Sequence, residues 1–375
     1  MAAGSLVLDF DELYEELNLS DHSNISLDGL DKDTFSCRPE PLPALVDVFI
    51  CVFYLLVFAV AVPGNLVVCL VVGSSKQRRL SPSDLYLFHL AVADLLLALS
   101  LPLWASSMLR GWLFGTVACK VTGMLLEVNF YTSILFLVCI SVDRYLAVAR
   151  AGEAKGGGWR GPDGRPWNFA VCVGVWSLGG LLSLPTALHN EVFVPGGGGA
   201  AGKEICGEHF DTGSAAEWRL TTRILRHLLG FLLPLLTMLA CYGATALRLR
   251  RTRGLQRFRA MRVIAAVVAA FLLCWCPQHL VVVADTLMRA RLLEFDCVRR
   301  QAADRAVIFT QMLAFLHCCI NPVLYAFVGV KFRRNLQRLV QKRSRKRAAK
   351  DKPGMTRLFS RSSSNMSQDG SLTLM

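Results

Sequence analysis

The sequence predicts an all-α membrane protein whose core is a bundle of seven transmembrane helices. Three observations support this fold class. Apolar residues make up 53% of the 375 residues and charged residues only 18%, a balance unusual for soluble domains. Long apolar stretches recur along the chain. If there are seven of them, the strongly basic connections all fall on one side of the membrane.

Each predicted span is long enough to cross a bilayer, since about 20 apolar residues cross the hydrocarbon layer. In the first stretch Asp47 is the only ionisable side chain apart from cysteine and tyrosine. The seven predicted spans are residues 44–72, 83–109, 117–148, 167–188, 218–247, 263–287 and 306–328.

The charge of the connections orients the bundle. An odd number of spans puts the two ends of the chain on opposite sides, and basic connections stay in the cytoplasm. The strongly basic connections are residues 76–79, 248–262 and 331–352. We therefore expect an extracellular acidic tail (1–43), a seven-helix core (44–330), a short amphipathic helix (331–347) and a cytoplasmic tail (348–375). No continuous apolar segment precedes the core, so no cleavable signal peptide is expected.

The N-terminal tail is acidic although the chain has a formal net charge of +13. Its first 46 residues hold ten acids and two bases, a net charge of −8. The stretch DFDELYEEL surrounds Tyr14 with five carboxylates, those of Asp9, Asp11, Glu12, Glu15 and Glu16. Such a tail attracts a basic ligand. Two sequons, at Asn18 and Asn24, predict glycans in the same tail.

The positive charge is concentrated at the other end. Residues 331–375 hold thirteen bases and two acids, on the face where anionic membrane lipid attracts them. That location argues against nucleic acid as a partner.

Four of the thirteen cysteines fall at extracellular positions: Cys37, Cys119, Cys206 and Cys297. Outside the cell they can oxidise to two disulfides. The residues alone leave three pairings open.

Asp94 is the most conspicuous charge inside a predicted span, where a carboxylate is costly. One interpretation is a carboxylate hydrogen-bonded to neighbouring helices. The other is a polar cavity that binds a sodium ion, with Asn129 and Ser133 as further oxygen ligands.

Two further groups of residues suggest moving parts. The third span ends in Asp143, Arg144 and Tyr145, at the predicted cytoplasmic edge. Prolines stand close to bulky aromatic residues in the last two spans, a combination typical of two-state elements. These are Trp275 with Pro277, and Asn321 and Pro322 with Tyr325.

Taken in order, these motifs resemble those of the rhodopsin-like G-protein-coupled receptors. They are Gly64 and Asn65, the Leu90 to Asp94 stretch, Asp143-Arg144-Tyr145, Trp176, Pro234 with Tyr242, Cys274 to Pro277, and Asn321 to Tyr325. The stretches GWLFGTVACKV, LLEVNFYTSILFLVCISVDRYLAVARA, RAMRVIAAVVAAFLLCWCP and VVVADTLMR look like the CXC chemokine receptors, most closely the interleukin-8 receptor type. The resemblance covers residues 47–332.

The resemblance implies a plasma-membrane receptor, not an enzyme, for basic chemokines that carry a Glu-Leu-Arg signal. It implies coupling to inhibitory-class heterotrimeric G proteins, in which Tyr242 and Arg144 meet the G protein when the sixth helix swings out. It selects disulfides between Cys119 and Cys206 and between Cys37 and Cys297. It also suggests sulfation of Tyr14.

A ligand of that kind would place a carboxylate near basic groups and an arginine near an acid. The candidate basic groups are Arg223, Arg226, Arg289 and Arg299, and the candidate acid is Asp285. For Arg299 and its neighbour Arg300, solvated loop charge is the alternative. Gln311 stands where the family usually has a glutamate, so a ligand cation there would lose attraction but keep a hydrogen-bond acceptor.

The cytoplasmic end predicts regulation. Phe332, Leu336, Leu339 and Val340 form one side of a basic amphipathic helix suited to a lipid surface. Eight hydroxyls are predicted sites for receptor kinases and arrestin: Thr356, Ser360, Ser362, Ser363, Ser364, Ser367, Ser371 and Thr373. The final Thr373-Leu374-Met375 is a candidate for binding a PDZ domain.

Two features keep an alternative open. Residues 149–167 form a long, glycine-rich second cytoplasmic loop, compatible with a decoy chemokine receptor that internalises ligand without G-protein signalling. Residues 248–262 contain no acid, so Arg144 lacks an ion-pair partner there and Arg257 repels it. We therefore predict appreciable basal signalling.

Overall fold

The structure is a computed structural model, and it describes residues 42–74, 81–151, 165–194, 203–209, 215–250, 255–290, 292–294, 296–328 and 330–350. The helices are α1 (Ala44–Gly73), α2 (Pro82–Arg110), α3 (Gly115–Ala151), α4 (Arg165–Leu182), α5 (Leu184–His189), α6 (Ala215–His227), α7 (Leu233–Arg250), α8 (Leu255–Arg289), α9 (Cys297–Phe315), α10 (His317–Val328) and α11 (Val330–Lys350). Two strands follow α5 in the chain, β1 (Asn190–Phe193) and β2 (Ile205–Glu208).

The predicted seven-helix membrane fold is confirmed. Within the described residues, seven helical segments are long and apolar enough to span a bilayer: Ala44–Gly73, Pro82–Arg110, Gly115–Ala149, Pro166–His189, Glu217–Arg248, Val268–Arg289 and Cys297–Tyr325. The fourth span joins α4 and α5, the fifth joins α6 and α7, and the seventh joins α9 and α10. A π-helical turn, Leu228–Leu232, links α6 to α7.

The seventh span begins nine residues before its predicted start at residue 306. Its first turns, CVRRQAADR, are too polar for a hydropathy pattern to find. The helix starts there because the Asp296 side chain accepts a hydrogen bond from the Arg299 amide at 2.6 Å, which satisfies one of the free N–H groups of the first turn.

The extracellular connection between α2 and α3 requires a glycine. Gly111 ends α2 with φ of 78°, a conformation that costs other residues energy. A Cβ atom there would lie 2.9 Å from the Glu204 carbonyl oxygen. Because the Trp112 amide also donates to that oxygen at 2.7 Å, the connection is held against the chain just before β2.

The second extracellular loop contains a hairpin that the sequence analysis did not predict. β1 and β2 pair antiparallel, with Val192 opposite Cys206. The predicted disulfide between Cys119 and Cys206 is present and ties the hairpin to the start of α3. The glycine-rich insertion at 195–202 lies outside the described residues.

The buried core has three clusters. One lies among the second to seventh spans around Phe130, Tyr131 and Trp275, and a second joins the first, second and seventh spans. In the third, Phe332 of α11 packs with Val68 and Leu87. This contact holds the start of the predicted amphipathic helix at the cytoplasmic ends of the first two spans.

Candidate ligand pocket and receptor core

A pocket that is open to solvent lies beside the hairpin, in the extracellular half of the bundle, and holds about 690 Å³ of empty space including part of that solvent. Its lining residues come from the third to seventh spans and the hairpin. They are Glu127, Tyr131, Leu182, Pro185, Thr186, Glu208, Arg219, Thr222, Arg223, Leu225, Arg226, Gln278, Val282, Val307 and Gln311. Three predicted ligand-contact residues, Arg223, Arg226 and Gln311, are therefore brought together.

Arg226 forms an ion pair with Glu127, a residue that the sequence analysis did not single out. The guanidinium of Arg226 also lies over the Phe130 ring, 5.5 Å from its centroid. Glu127 and Arg226 are on different spans, so only the folded bundle shows their proximity. The pair fixes charges of both signs at the wall of the cavity.

Asp285 is held inside an ion-pair network. Its Oδ2 atom lies 2.7 Å from Arg223 Nη1 and 2.8 Å from Arg289 Nε. Arg289 also reaches Asp304, at 3.6 Å. Asp285 does not line the cavity, and its Oδ1 atom is buried without a hydrogen-bond partner. A ligand arginine could bind Asp285 only if this network rearranged.

Gln311 is bound within the protein as well. Gln278 donates to the Gln311 side-chain oxygen at 3.0 Å and accepts from the Thr310 hydroxyl at 2.5 Å. Gln278 was not predicted. The glutamine at 311 thus belongs to a neutral hydrogen-bonded chain in the cavity wall.

Arg299 lies away from the cavity lining. It pairs with Glu294 at 2.5 Å and with Asp296 at 3.2 Å, and 52% of its side chain is exposed. This arrangement agrees with the alternative of solvated loop charge. Arg300 is closer to the bundle and lies 3.5 Å from Asp304.

Several predicted residues fall outside the described part of the chain. They are the acidic residues 9–16 with Tyr14, the sequons at Asn18 and Asn24, Cys37, and the hydroxyls of residues 356–373. Cys297 is disulfide-bonded, and its predicted partner is Cys37.

The match to known proteins agrees with this architecture. Residues 64–325 match the model of the 7 transmembrane receptor (rhodopsin family). The C-X-C chemokine receptor type 1 of Oryctolagus cuniculus is 46% identical over 292 residues, covering 78% of this chain and 79% of that protein. The C-X-C chemokine receptor type 2 of Homo sapiens is 43% identical over 332 residues, covering 88% and 89%.

The chain belongs to the CXC chemokine receptor family. The resemblance drawn from the sequence motifs is confirmed, as is the location that it implied, a multi-pass protein of the plasma membrane. The family is one of receptors and not of enzymes.

In the core of the receptor, Asp94 is fully buried and surrounded by donors. Its Oδ1 atom accepts from Asn129 at 3.3 Å and from Ser133 at 3.2 Å, and Oδ2 accepts from Asn321 at 2.8 Å. The third and seventh spans thus supply the hydrogen bonds that the first interpretation of Asp94 required.

His317, which was not predicted from the sequence, makes the predicted sodium site less favourable. Its Nε2 atom lies 3.4 Å from Asp94 Oδ1. Asp94 and Ser133 offer oxygen ligands, but Asn129 presents its nitrogen to the carboxylate. The residues fit a sodium ion only in part, because an imidazole lies beside the oxygen that the ion would need. The sodium site stays a prediction.

Trp275 connects this core to the pocket. Its ring centroid lies 4.9 Å from that of Phe130 and 5.0 Å from that of His317. Pro277 and Pro322 both lie inside continuous helices, α8 and α10. The predicted aromatic and proline pairs therefore meet in one packed region.

The cytoplasmic ends hold two tyrosines inside the bundle. The Tyr242 hydroxyl forms a hydrogen bond with Ser141 at 2.7 Å, and the Tyr325 hydroxyl is buried without a partner. Asp143 is bound by the Ser83 hydroxyl.

Arg144 is exposed, and no carboxylate pairs with it among the described residues. Its side chain is therefore available at the cytoplasmic surface, next to Tyr145.

Proposed function

We propose that this receptor binds CXC chemokines carrying a Glu-Leu-Arg signal and activates inhibitory-class heterotrimeric G proteins. The observation that supports the proposal best is the charge of the cavity wall. Five charged side chains line it, two acids and three bases: Glu127, Glu208, Arg219, Arg223 and Arg226. A wall with both signs suits a ligand segment in which a glutamate and an arginine lie two residues apart.

Binding would occur in two stages. The tail, with a net charge of −8 over the first 46 residues, attracts a basic chemokine, which raises the association rate. The N-terminal segment of the chemokine then enters the cavity. Its glutamate would meet Arg223 and Arg226, and its arginine would meet Glu208, which lines the cavity while Asp285 is already bound twice.

Sulfation of Tyr14 would strengthen the first stage, since it adds negative charge to a segment that already holds five carboxylates. Replacing Tyr14 with phenylalanine should then lower chemokine affinity and leave surface expression unchanged. The glycans at Asn18 and Asn24 and the Cys37 to Cys297 disulfide belong to the same extracellular proposal.

Signalling would begin when the sixth span swings outward at Pro277. Tyr242 and Tyr325 are now turned into the bundle, and their release would let Tyr242 and Arg144 contact the G protein. Ligand binding drives this change only through a difference in affinity between the two states. Phosphorylation of the eight hydroxyls at 356–373 would then add negative charge for arrestin.

The cytoplasmic helix supports a lipid contact in this proposal. Within α11 there are ten bases and no acid, and each base near an anionic surface contributes about 1 kcal/mol to membrane binding. The PDZ-binding role of the last three residues is a further, separate proposal.

A panel of CXC chemokines applied to the expressed receptor tests the proposal. We expect Glu-Leu-Arg chemokines to inhibit cyclic AMP production and to release calcium. Silence towards all of them would contradict the ligand class. Arrestin recruitment without either response would contradict the G-protein coupling and indicate a decoy receptor.

A further inference from the structure

Two histidines face each other next to the pocket-lining residues Arg226 and Gln278, one on the fifth span and one on the sixth. The Nδ1 atoms of His227 and His279 are 2.8 Å apart. His279 is 4% exposed. This contact is a direct hydrogen bond between the two spans, and neither the sequence motifs nor the proposed function used it.

One ring nitrogen of each histidine has no hydrogen-bond partner. Two neutral imidazoles carry two N–H groups and two lone pairs, and the Nδ1 contact uses one of each. The Nε2 atoms of both rings are buried and have no hydrogen-bond partner. Buried unsatisfied polar groups are unfavourable, so any rearrangement that gave these atoms partners would be favoured. The hydrogen bond between His227 and His279 is therefore suited to a formed state and a broken state.

Packing connects the pair to the aromatic core. The His279 ring stacks on Phe231, with centroids 4.2 Å apart, and lies 5.8 Å from Phe130. Phe130 in turn lies 4.9 Å from Trp275. A shift of His279 therefore displaces a ring that touches Trp275 directly.

The backbone at this point is also irregular. The π-helical turn Leu228–Leu232 begins directly after His227, and such turns are often found at functional sites. Within it, a Cβ atom on Gly230 would lie 2.3 Å from the Phe130 ring. Glycine is needed there for Phe130 to fit against the fifth span.

Arg226 links the pair to the ligand pocket. It precedes His227 in the chain, pairs with Glu127 in the cavity wall and lies over Phe130. A ligand carboxylate that draws Arg226 away from Glu127 would therefore move the residue next to His227 and uncover the ring between His279 and Trp275.

We propose that the hydrogen bond between His227 and His279 is a latch that positions the aromatic cluster around Trp275, holds the fifth and sixth spans in the resting arrangement, and opens when ligand engages Arg226. The latch deepens the proposed signalling function and rests on it. Under the proposed signalling function this arrangement corresponds to the resting state, since Tyr242 and the Tyr325 hydroxyl are buried in the bundle.

Phenylalanine variants test the latch because they keep a ring and remove the hydrogen bond. We would compare His227→Phe, His279→Phe and the double variant with wild type in full-length receptor. A matched control is His89→Phe, which removes another hydrogen bond of a half-buried histidine, the 3.2 Å contact with Trp176, between the second and fourth spans.

Two measurements are made without chemokine. One is basal nucleotide exchange on an inhibitory-class G protein, and the other is hydrogen exchange of α8 amides in receptor alone. We expect basal exchange to rise about five- to tenfold in either single variant, the order expected for losing one hydrogen bond. The double variant should rise no further than the larger single variant, since both remove the same bond. Protection of the α8 amides should fall, while His89→Phe should match wild type in both measurements.

These measurements distinguish a failure of the latch from a failure of the proposed function. Latch variants that match wild type in exchange and amide protection, in a receptor that answers chemokine, would overturn the latch and leave the proposed function standing. If no chemokine stimulates wild type but the variants still lose α8 protection, the proposed function falls and the latch stands. Additive effects in the double variant would also overturn it. If a phenylalanine variant fails to reach the cell surface, His279→Asn, smaller and still polar, takes its place and should retain part of the wild-type protection.

Discussion

Asp285 and Asp94 are both almost fully buried, with 1% and 0% of their surface exposed, but the receptor satisfies them differently. Asp285 is bound by two guanidiniums, those of Arg223 and Arg289. Asp94 receives uncharged donors from Asn129, Ser133 and Asn321, with His317 nearby. The ion pairs of Asp285 hold Arg223 in place in the cavity wall, where it can recognise a charged ligand. Breaking one hydrogen bond from an uncharged donor costs less than breaking a buried ion pair, which suits a core that changes conformation.

The largest expected effect is a difference in stability between amide variants of these two carboxylates. Asp285→Asn leaves Arg223 without its counter-charge and leaves Arg289 with only the more distant Asp304, which should lower the free energy of unfolding by about 3 to 5 kcal/mol. Asp94→Asn keeps an acceptor of the same size, so the loss should be about 1 to 3 kcal/mol. Unfolding of the purified variants, compared side by side, measures the difference. Equal losses would mean that the two sites are held by the same kind of interaction.

Arg223→Gln sharpens the comparison within the ion-pair network. Asp285 keeps Arg289, so the unfolding free energy should fall by only about 1 to 2 kcal/mol. The substitution removes a cation from the cavity wall that the chemokine would contact, and the potency of the chemokine should drop about tenfold. Arg299→Gln is the matched control, because the ion pairs of Arg299 are exposed to solvent and exposed pairs contribute little to stability. A control that loses as much potency as Arg223→Gln would place recognition at the rim and not in the cavity.

Ionic strength distinguishes long-range attraction from the contacts in the core. Raising salt from about 50 mM to about 500 mM shortens the screening length to a few ångströms, and the association rate of a basic chemokine should fall about tenfold. Replacing the five acids of residues 9–16 with amides should flatten this dependence. A rate that does not change with salt in wild type would remove the role proposed for the acidic tail.

The smallest effect is expected at Gln311. In Gln311→Glu, the Gln278 side chain can still donate to the new carboxylate, so the 3.0 Å contact is kept and becomes charge-assisted. Chemokine potency should change by no more than about threefold, which a concentration-response curve measures. A much larger gain would show that the ligand places a cation against this position.

Hydropathy predicted the seven spans because each is a local property of about 20 consecutive residues. It placed the start of the last span too late, since the polar first turns of α9 depend on a cap from Asp296. The hairpin was missed because β1 and β2 are short and separated by a glycine-rich segment.

The sequence predicted several residues of the site but not the residues with which they pair. Arg223, Arg226 and Gln311 do line one cavity, whereas the roles of Glu127, Gln278 and His317 depend on partners from other spans. Asp94 was singled out by its charge, but Asn321 and His317 reach it only through the packing of the seventh span. Contacts between distant spans leave no signal in a single sequence.

The most direct test of the central claim compares a Glu-Leu-Arg chemokine with the same chemokine carrying glutamine in place of that arginine. G-protein nucleotide exchange on reconstituted receptor is measured for both, in wild type and in Glu208→Gln. We predict that the altered chemokine loses about tenfold or more in potency on wild type and much less on Glu208→Gln, because the two changes remove the same contact. Equal potency of the two chemokines on wild type would contradict a cavity that recognises both charges of the ligand signal.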